Sequence, residues 1–255
     1  AVLIGRHTIF SVHAQAFGEQ GEKVCGLGRI DAVVFLFICI QRRVVPDQAS
    51  RTLAHRLVDA GATVEDVSIP LHVNGASIMF ASILDGTLAM FTDESGAGTG
   101  GKGHYLIDAI QYYAKARVER ANDMPPTVKN LLMFALTMRK RYGIYYYAKA
   151  QNLVRTLRAA YDQALQDYDV LIMPTTPMKA HKHLSDNAPP EEVIANALDM
   201  LGNTAPFDST GHPSMSLPVG LSNGLPVGMM ITGRCGEDDV VLRAGHAFEM
   251  LRGPI

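Results

Sequence analysis

The sequence predicts an α/β fold, a mixed β-sheet covered by helices on both faces. Three observations predict it. Stretches with apolar residues at helical spacing alternate with short apolar runs, those runs are stopped by Pro or Gly, and the last quarter holds two of them around an Asn-Gly turn. With 255 residues the chain makes one large domain or two small ones. A compact chain of this size buries roughly 70–75% of its unfolded surface, enough for a core without disulfides or metal.

The elements follow in order. Residues 32–40 form the longest unbroken apolar run, which suits a buried strand and is about half of what crosses a bilayer as a helix. Residues 47–60 read as a helix, with Ala49, Leu53, Leu57 and Val58 on one face, Asp47 as N-cap and Gly61 at C′. Residues 62–69 read as a short strand carrying Val64, Val67 and Ile69, ended by Pro70. Residues 74–91 and 105–122 are helical, split by a glycine-rich loop at 95–103, and Pro125-Pro126 opens a further helix near Thr127. A long helix over 145–166 leads into the apolar strand 169–173, stopped by Pro174. A helix over 190–201 follows, then strands at 214–219 and 227–233 around Asn223-Gly224. Asp238 and Asp239 start a last helix, 238–251, at its positive end.

Composition narrows the function. A net charge of −2 excludes a strongly basic nucleic-acid binder. Apolar residues at 47% and charged residues at 19% exclude a disordered chain. Cys25, Cys39 and Cys235 are odd in number and widely spaced, so neither a disulfide scaffold nor a CxxC zinc site is expected. Reduced thiols and a cytoplasmic location, with no membrane partner, are the expectation. The start Ala1-Val2-Leu3-Ile4-Gly5 has no charged leader and suits a fragment better than a signal peptide.

Several motifs resemble chemistry without completing it. Residues 96–103 nearly spell a phosphate-binding loop, but Gly103 stands where a magnesium-holding hydroxyl belongs, and a helix precedes it, so a surface loop is expected. His181 and His183 form an HxH pair with no third ligand at a suitable spacing, and no metal is assigned. Arg139, Lys140 and Arg141 with Tyr142, Tyr145, Tyr146 and Tyr147 combine the residue types of single-strand grooves. On a long helix such tyrosines are expected to pack, leaving one basic face. Ser214 and Ser216 share one strand face and lack a GxSxG or SxxK context.

The strongest signal is composite. Residues 168–177 (YDVLIMPTTP) are followed by 203–218 (NTAPFDSTGHPSMSLP) and 224–234 (GLPVGMMITGR). Together these blocks resemble the C-terminal half of the amidase signature family, over roughly residues 45–255, and most closely its bacterial amidases. The resemblance implies an incomplete amidase-signature fold, with residues 1–43 as an unmatched and poorly packed N-terminal segment and 44–255 as the C-terminal part of an amidase domain. A slip of reading frame corrected near Arg43 would account for residues 8–43.

The resemblance also implies a reaction. Family enzymes hydrolyse a carboxylic amide to the acid and ammonia through a serine acyl-enzyme, without metal or cofactor. They use a Ser–Ser–Lys triad whose bridging serine sits on a cis peptide, a conformation that costs about 3–4 kcal/mol and needs a dedicated loop. This chain contains no Ser-Ser pair, so no catalytic residue carries over and the chain alone is expected to be inactive. What carries over is a pocket wall: Met79, Asn203, Phe207, Asp208, Thr210 and His212 are the substrate-pocket candidates. Phe207, Thr210 and His212 are expected on the rim, with Asn203 and Asp208 tying the loop 206–213 down. Implied partners are a small-molecule amide and a second copy in a homodimer. The missing half is expected to leave an apolar face of the sheet exposed. The alternative activity is that of an amidotransferase A-type subunit, which passes ammonia to a partner; a non-catalytic folding unit is the third reading.

Overall fold

The computed structural model describes residues 34–35, 56–58 and 61–253, the first pair by backbone alone. The expected order of residues 8–43, apart from that pair, and the start of the helix at 47 lie outside the described residues.

The strands are β1 (Val34–Phe35), β2 (Val170–Pro174), β3 (Ser214–Ser222) and β4 (Leu225–Gly233). The longer helices are α1 (Gly75–Leu88), α2 (Ile107–Glu119), α3 (Pro126–Tyr142), α4 (Tyr145–Asp167), α5 (Pro190–Leu198), α6 (Ala205–Thr210) and α7 (Asp238–Arg252). Two compact units divide the chain, one of Ala1–Ala76, Val154–Lys182 and Met200–Ile255, the other of Ser77–Leu153 and His183–Asp199.

The first unit holds a mixed sheet of order β1-β2-β4-β3. β1 runs parallel to β2, with Val34 opposite Leu171. β4 runs antiparallel to β2, with Ile172 opposite Ile231, and antiparallel to β3, with Met215 opposite Ile231. The β3–β4 turn is made by Asn223 and Gly224, both at positive φ (54° and 78°), which matches the twist of a two-residue hairpin. Successive strand residues face opposite sides of a sheet. On one side Val170, Ile172, Met229 and Ile231 pack with Val241, Ala244 and Phe248 of α7 and with Leu57 and Ala62. On the other, Leu171, Met173, Met230 and Thr232 are equally buried. The centre of the sheet is therefore covered on both faces, as expected of this fold class.

The first unit departs from expectation in two places. Residues 62–69 form no continuous strand; Asp66 alone makes a bridge. Gly61 does end a helical turn, at φ 94°, with its N–H and that of Ala62 bonded to the carbonyls of Val58 and Leu57. The segment 206–213, expected as a loop, begins with the short helix α6, because Pro206 suits a first helical turn and Gly211 closes it in the left-handed region (φ 76°).

The second unit is helical. Leu84, Leu88 and Ala135 form its core, with Leu131 and Met138 against them, and Arg139 pairs with Asp85. The glycine-rich loop lies at the surface, and two of its N–H groups bond locally: Tyr105 Oη accepts from Gly101 at 2.9 Å, and Met90 O accepts from Gly96 at 2.7 Å. It borders a hollow of about 630 Å³ walled by Phe91, Tyr105, Ile110 and Tyr113. The tyrosines of the basic stretch do not pack inward as expected. Tyr142, Tyr145 and Tyr146 are exposed and rest edge-on against one another, with ring centroids 5.0 and 5.2 Å apart, and Arg141 sits over Tyr142. Large apolar side chains are exposed mainly on helices, at Leu106, Ile107, Val118, Met133 and Phe134, and not at the sheet centre. The helical run Pro70–Asp93 is long and apolar enough to cross a membrane by length and composition, a test that core helices also pass. The expectation rested on unbroken apolar runs, and here Ser77, Ser82 and Thr87 interrupt the run without making it polar.

Gly75 tests how tightly the first unit is packed. A Cβ there would lie 2.8 Å from Pro206 Cβ and closer still to Cγ, atoms of a rigid ring. Gly75→Ala is therefore expected to cost about 1–3 kcal/mol of overpacking. Gly86→Ala, with nothing within 4 Å, is expected to be neutral or to stabilise by up to about 1 kcal/mol through helix propensity. Urea unfolding of the two variants reads the contrast; equal midpoints would show that Pro206 gives way.

Candidate functional site

The site is built where β2 ends. The Pro174 carbonyl would be orphaned by burial, and Asn203 Nδ2 donates to it at 2.7 Å. Asn203 is itself buried and stands just before α6, so this bond fixes where that helix begins. α6 buries Ala205, Pro206, Phe207 and Thr210. Gly211 then turns the chain through a conformation that glycine adopts without strain, and His212 re-enters the interior.

An aromatic cluster results. The ring of Phe207 lies 4.7 Å from that of Tyr161 and 6.0 Å from that of His72. His212 meets Tyr161 edge-on at 5.5 Å. His72 Nδ1 and the Tyr161 hydroxyl are 2.5 Å apart. His212 Nδ1 is 2.9 Å from Thr210 Oγ1, and its Nε2 is 3.2 Å from Asp162 Oδ1.

Burial sets the charge states. It pushes the His72 imidazole down to about 3, against a smaller opposing effect of Asn203. Asn203 is near enough to favour the imidazolium, yet His72 Nε2 and Asn203 Oδ1 have no well-aligned hydrogen bond. Burial also lowers His212; Asp162 opposes that shift and Arg158 adds to it. The Tyr161 phenol is pushed up by burial. At neutral pH the cluster is uncharged, with apolar rings and two neutral imidazoles.

Of the six sequence candidates, the fold brings Asn203, Phe207, Thr210 and His212 into this cluster. Phe207, Thr210 and His212 are buried. Asp208 is exposed, and partial shelter still pushes its carboxyl above the ordinary range. Met79 is buried on α1, in the second unit. His72, Tyr161 and Asp162 were missed. Tyr161 had a signal, since Leu157, Tyr161 and Leu165 recur at four-residue spacing and all three are wholly buried. Ser214 and Ser216 pair with the hydroxyls of Thr232 and Thr175, at 2.8 and 2.6 Å, and meet no base.

The Amidase family profile matches residues 34–242. The chain belongs to the amidase signature family. It is 45% identical over 169 residues to an uncharacterized protein in the nthA 5′ region of Rhodococcus erythropolis, covering 66% of this chain and 85% of that one. It is 38% identical to an enantioselective amidase of Rhodococcus rhodochrous, covering 80% of this chain and 39% of the relative. The fold is that of a bacterial aryl acylamidase of the amidase signature family, with a TM-score of 0.67 at 20% identity, over 89% of this chain and 45% of that one. This amidase-family chain thus spans about two fifths of the enantioselective amidase's length.

Tyr161 and His72 give two tests. Tyr161→Phe leaves His72 Nδ1 buried without its partner and is expected to cost about 1–3 kcal/mol in urea unfolding. The pH dependence follows from the depressed imidazoles. The unfolded chain binds protons at about pH 6.5 that the folded chain refuses until much lower pH, so it carries more protons between the two values. The contribution of His72 is then full above about pH 6.5 and falls toward about pH 3, at up to about 1.4 kcal/mol per pH unit. Urea midpoints measured from pH 7 to pH 4 should drop, and less steeply in His72→Gln; a flat profile in the parent chain would contradict the buried neutral imidazole.

Proposed function

We propose that this chain is the C-terminal part of an amidase that hydrolyses a carboxylic amide to the acid and ammonia through a serine acyl-enzyme. In this reading its own contribution is the wall of the acyl pocket. The observation that carries it is the uncharged cluster of Asn203, Phe207, Thr210 and His212 at the end of β2, in a chain of this family without a Ser-Ser pair. An apolar wall with neutral imidazoles suits an uncharged amide, and a dry pocket strengthens hydrogen bonds to a developing oxyanion. Nucleophile, bridge and base would come from the remaining part of the enzyme. Such groups act as a unit, so a wall alone binds without turning over.

A second reading is an amidotransferase A-type subunit. It is supported by 34% identity over 208 residues to the A-type subunit of the glutamyl-tRNA(Gln) amidotransferase of Exiguobacterium sibiricum, covering 80% of this chain and 41% of that relative. The 38% identity to the enantioselective amidase favours the stand-alone reading.

The test is ammonia release from benzamide by the purified chain, alone and mixed with a separately expressed N-terminal half of an amidase of this family. The expected outcome is none from the chain alone and measurable turnover from the mixture. Turnover by the chain alone would overturn the assignment of the triad to another segment. Release from glutamine but not benzamide would transfer support to the amidotransferase reading.

A further inference from the structure

Asp162, His212 and Cys235 come from three separate elements, α4, the α6–β3 link and the turn after β4. One donor atom from each lies within 4.8 Å of the other two. We propose that these three side chains form a binding site for a thiophilic divalent cation of the zinc class, a role apart from amide hydrolysis.

The donor set selects the ion. Carboxylate, imidazole and thiolate are zinc or cobalt(II) ligands, whereas magnesium and calcium take oxygen donors. A tetrahedral zinc places neighbouring donors about 3.3–3.6 Å apart. His212 Nε2 and Asp162 Oδ1 already stand at 3.2 Å. Any remaining gap is one that side-chain rotation of the less buried partners can close: Asp162 is half-exposed, and Cys235 sits partly exposed on a turn. The histidine is the fixed point, since its side chain has no exposed surface. Thr210 Oγ1 lies 2.9 Å from His212 Nδ1 and can accept a proton held there, the outer contact that sets the ring of a metal-bound histidine and lets Nε2, which otherwise donates to Asp162, ligate instead. Arg158 Nε lies 3.8 Å from the other carboxylate oxygen, Asp162 Oδ2, and leaves Oδ1 to His212. The Cys235 thiol points at the carbonyls of Gly211 (3.5 Å) and Thr210 (4.0 Å), the residues just before His212.

The charges balance. A divalent ion replaces the thiol proton, which passes to solvent, and one thiolate with one carboxylate then neutralises it. Water takes the fourth position. The HxH pair at His181 and His183 takes no part. The site was hidden from sequence spacing because its ligands are 50 and 23 residues apart and only the fold gathers them.

Cobalt(II) is the probe. The metal-stripped chain, in a reducing buffer, should take up one equivalent, with a near-ultraviolet thiolate-to-cobalt charge-transfer band and the visible bands of a four-coordinate ion, both lost when zinc is added. Cys235→Ser should abolish the charge-transfer band. Asp162→Asn should weaken binding at least about tenfold, and Thr210→Val by about 10–100-fold, as for outer contacts of metal histidines. The Cys25→Ser/Cys39→Ser and His181→Asn/His183→Asn variants should leave the spectrum unchanged. Because buried variants can fail to fold, zinc should also slow alkylation of Cys235 by iodoacetamide in the parent chain, followed by peptide mass analysis. A band that survives Cys235→Ser, no band at stoichiometric cobalt, or alkylation that zinc does not slow would each overturn the site.

Discussion

The constraint on which the first unit depends is complete burial of β2. All five residues from Val170 to Pro174 are removed from solvent, so the backbone polar groups at both ends must be bonded within the protein. At the N-terminal side Arg234 gathers the chain: Nε donates to Leu165 O at 2.6 Å and Nη2 to Tyr168 O at 3.0 Å, while Nη1 pairs with Glu237. At the C-terminal side Asn203 closes Pro174, and Thr175 donates to Gly228 O at 3.0 Å. These charged and amide side chains are held where an unmade bond would cost about 1–3 kcal/mol. They also lock α4, β4 and the start of α6 to one strand, and the candidate pocket wall inherits its geometry from that lock.

How much of this was legible depended on the range of the interaction. The run Asp169-Val170-Leu171-Ile172-Met173-Pro174 announces a buried strand by itself, because nothing but a covered strand tolerates it between an acid and a proline. Asn223-Gly224 likewise fixes a hairpin through its own backbone preference. The readings that failed were decided at a distance. Val64, Val67 and Ile69 have strand-like composition, yet a strand needs a neighbour to pair with, and no periodicity reports one. The exposed tyrosines of 142–146 had nothing in the sequence to show that they would stack on each other. Loop composition at 206–213 hid α6, since proline and glycine mark the ends of a short helix as readily as a turn.

The candidate site shows the same division. Asn203, Phe207, Thr210 and His212 were found together because they fall in one block whose resemblance to the amidase signature family is specific. Their partners His72, Tyr161 and Asp162 lie elsewhere, on segments with no motif. Met79 and Asp208 illustrate the limits of carrying roles over by position. Met79 is buried in a helical unit, as an apolar helix residue would be in any case, and Asp208 is exposed on the outer side of a six-residue helix.

His212 joins the two regions of interest, and the reason is geometrical. Its ring is T-shaped to both Tyr161 (5.5 Å) and Phe207 (6.2 Å), so part of the imidazole belongs to the aromatic cluster. Both nitrogens are directed to polar atoms, Nδ1 to Thr210 and Nε2 to Asp162, so its rim belongs to a polar chain leading toward the half-exposed carboxylate. Burial favours the neutral imidazole. Beside the Asp162 carboxylate, which only accepts, Nε2 carries the ring proton and donates while the Thr210 hydroxyl donates to Nδ1, and moving that proton to Nδ1 turns Nε2 into a ligand. Gly211 makes this possible, because only a residue at ease in the left-handed region can turn the chain out of α6 and send the next side chain inward. A single backbone turn thereby settles which histidine nitrogen faces Thr210 and which faces Asp162.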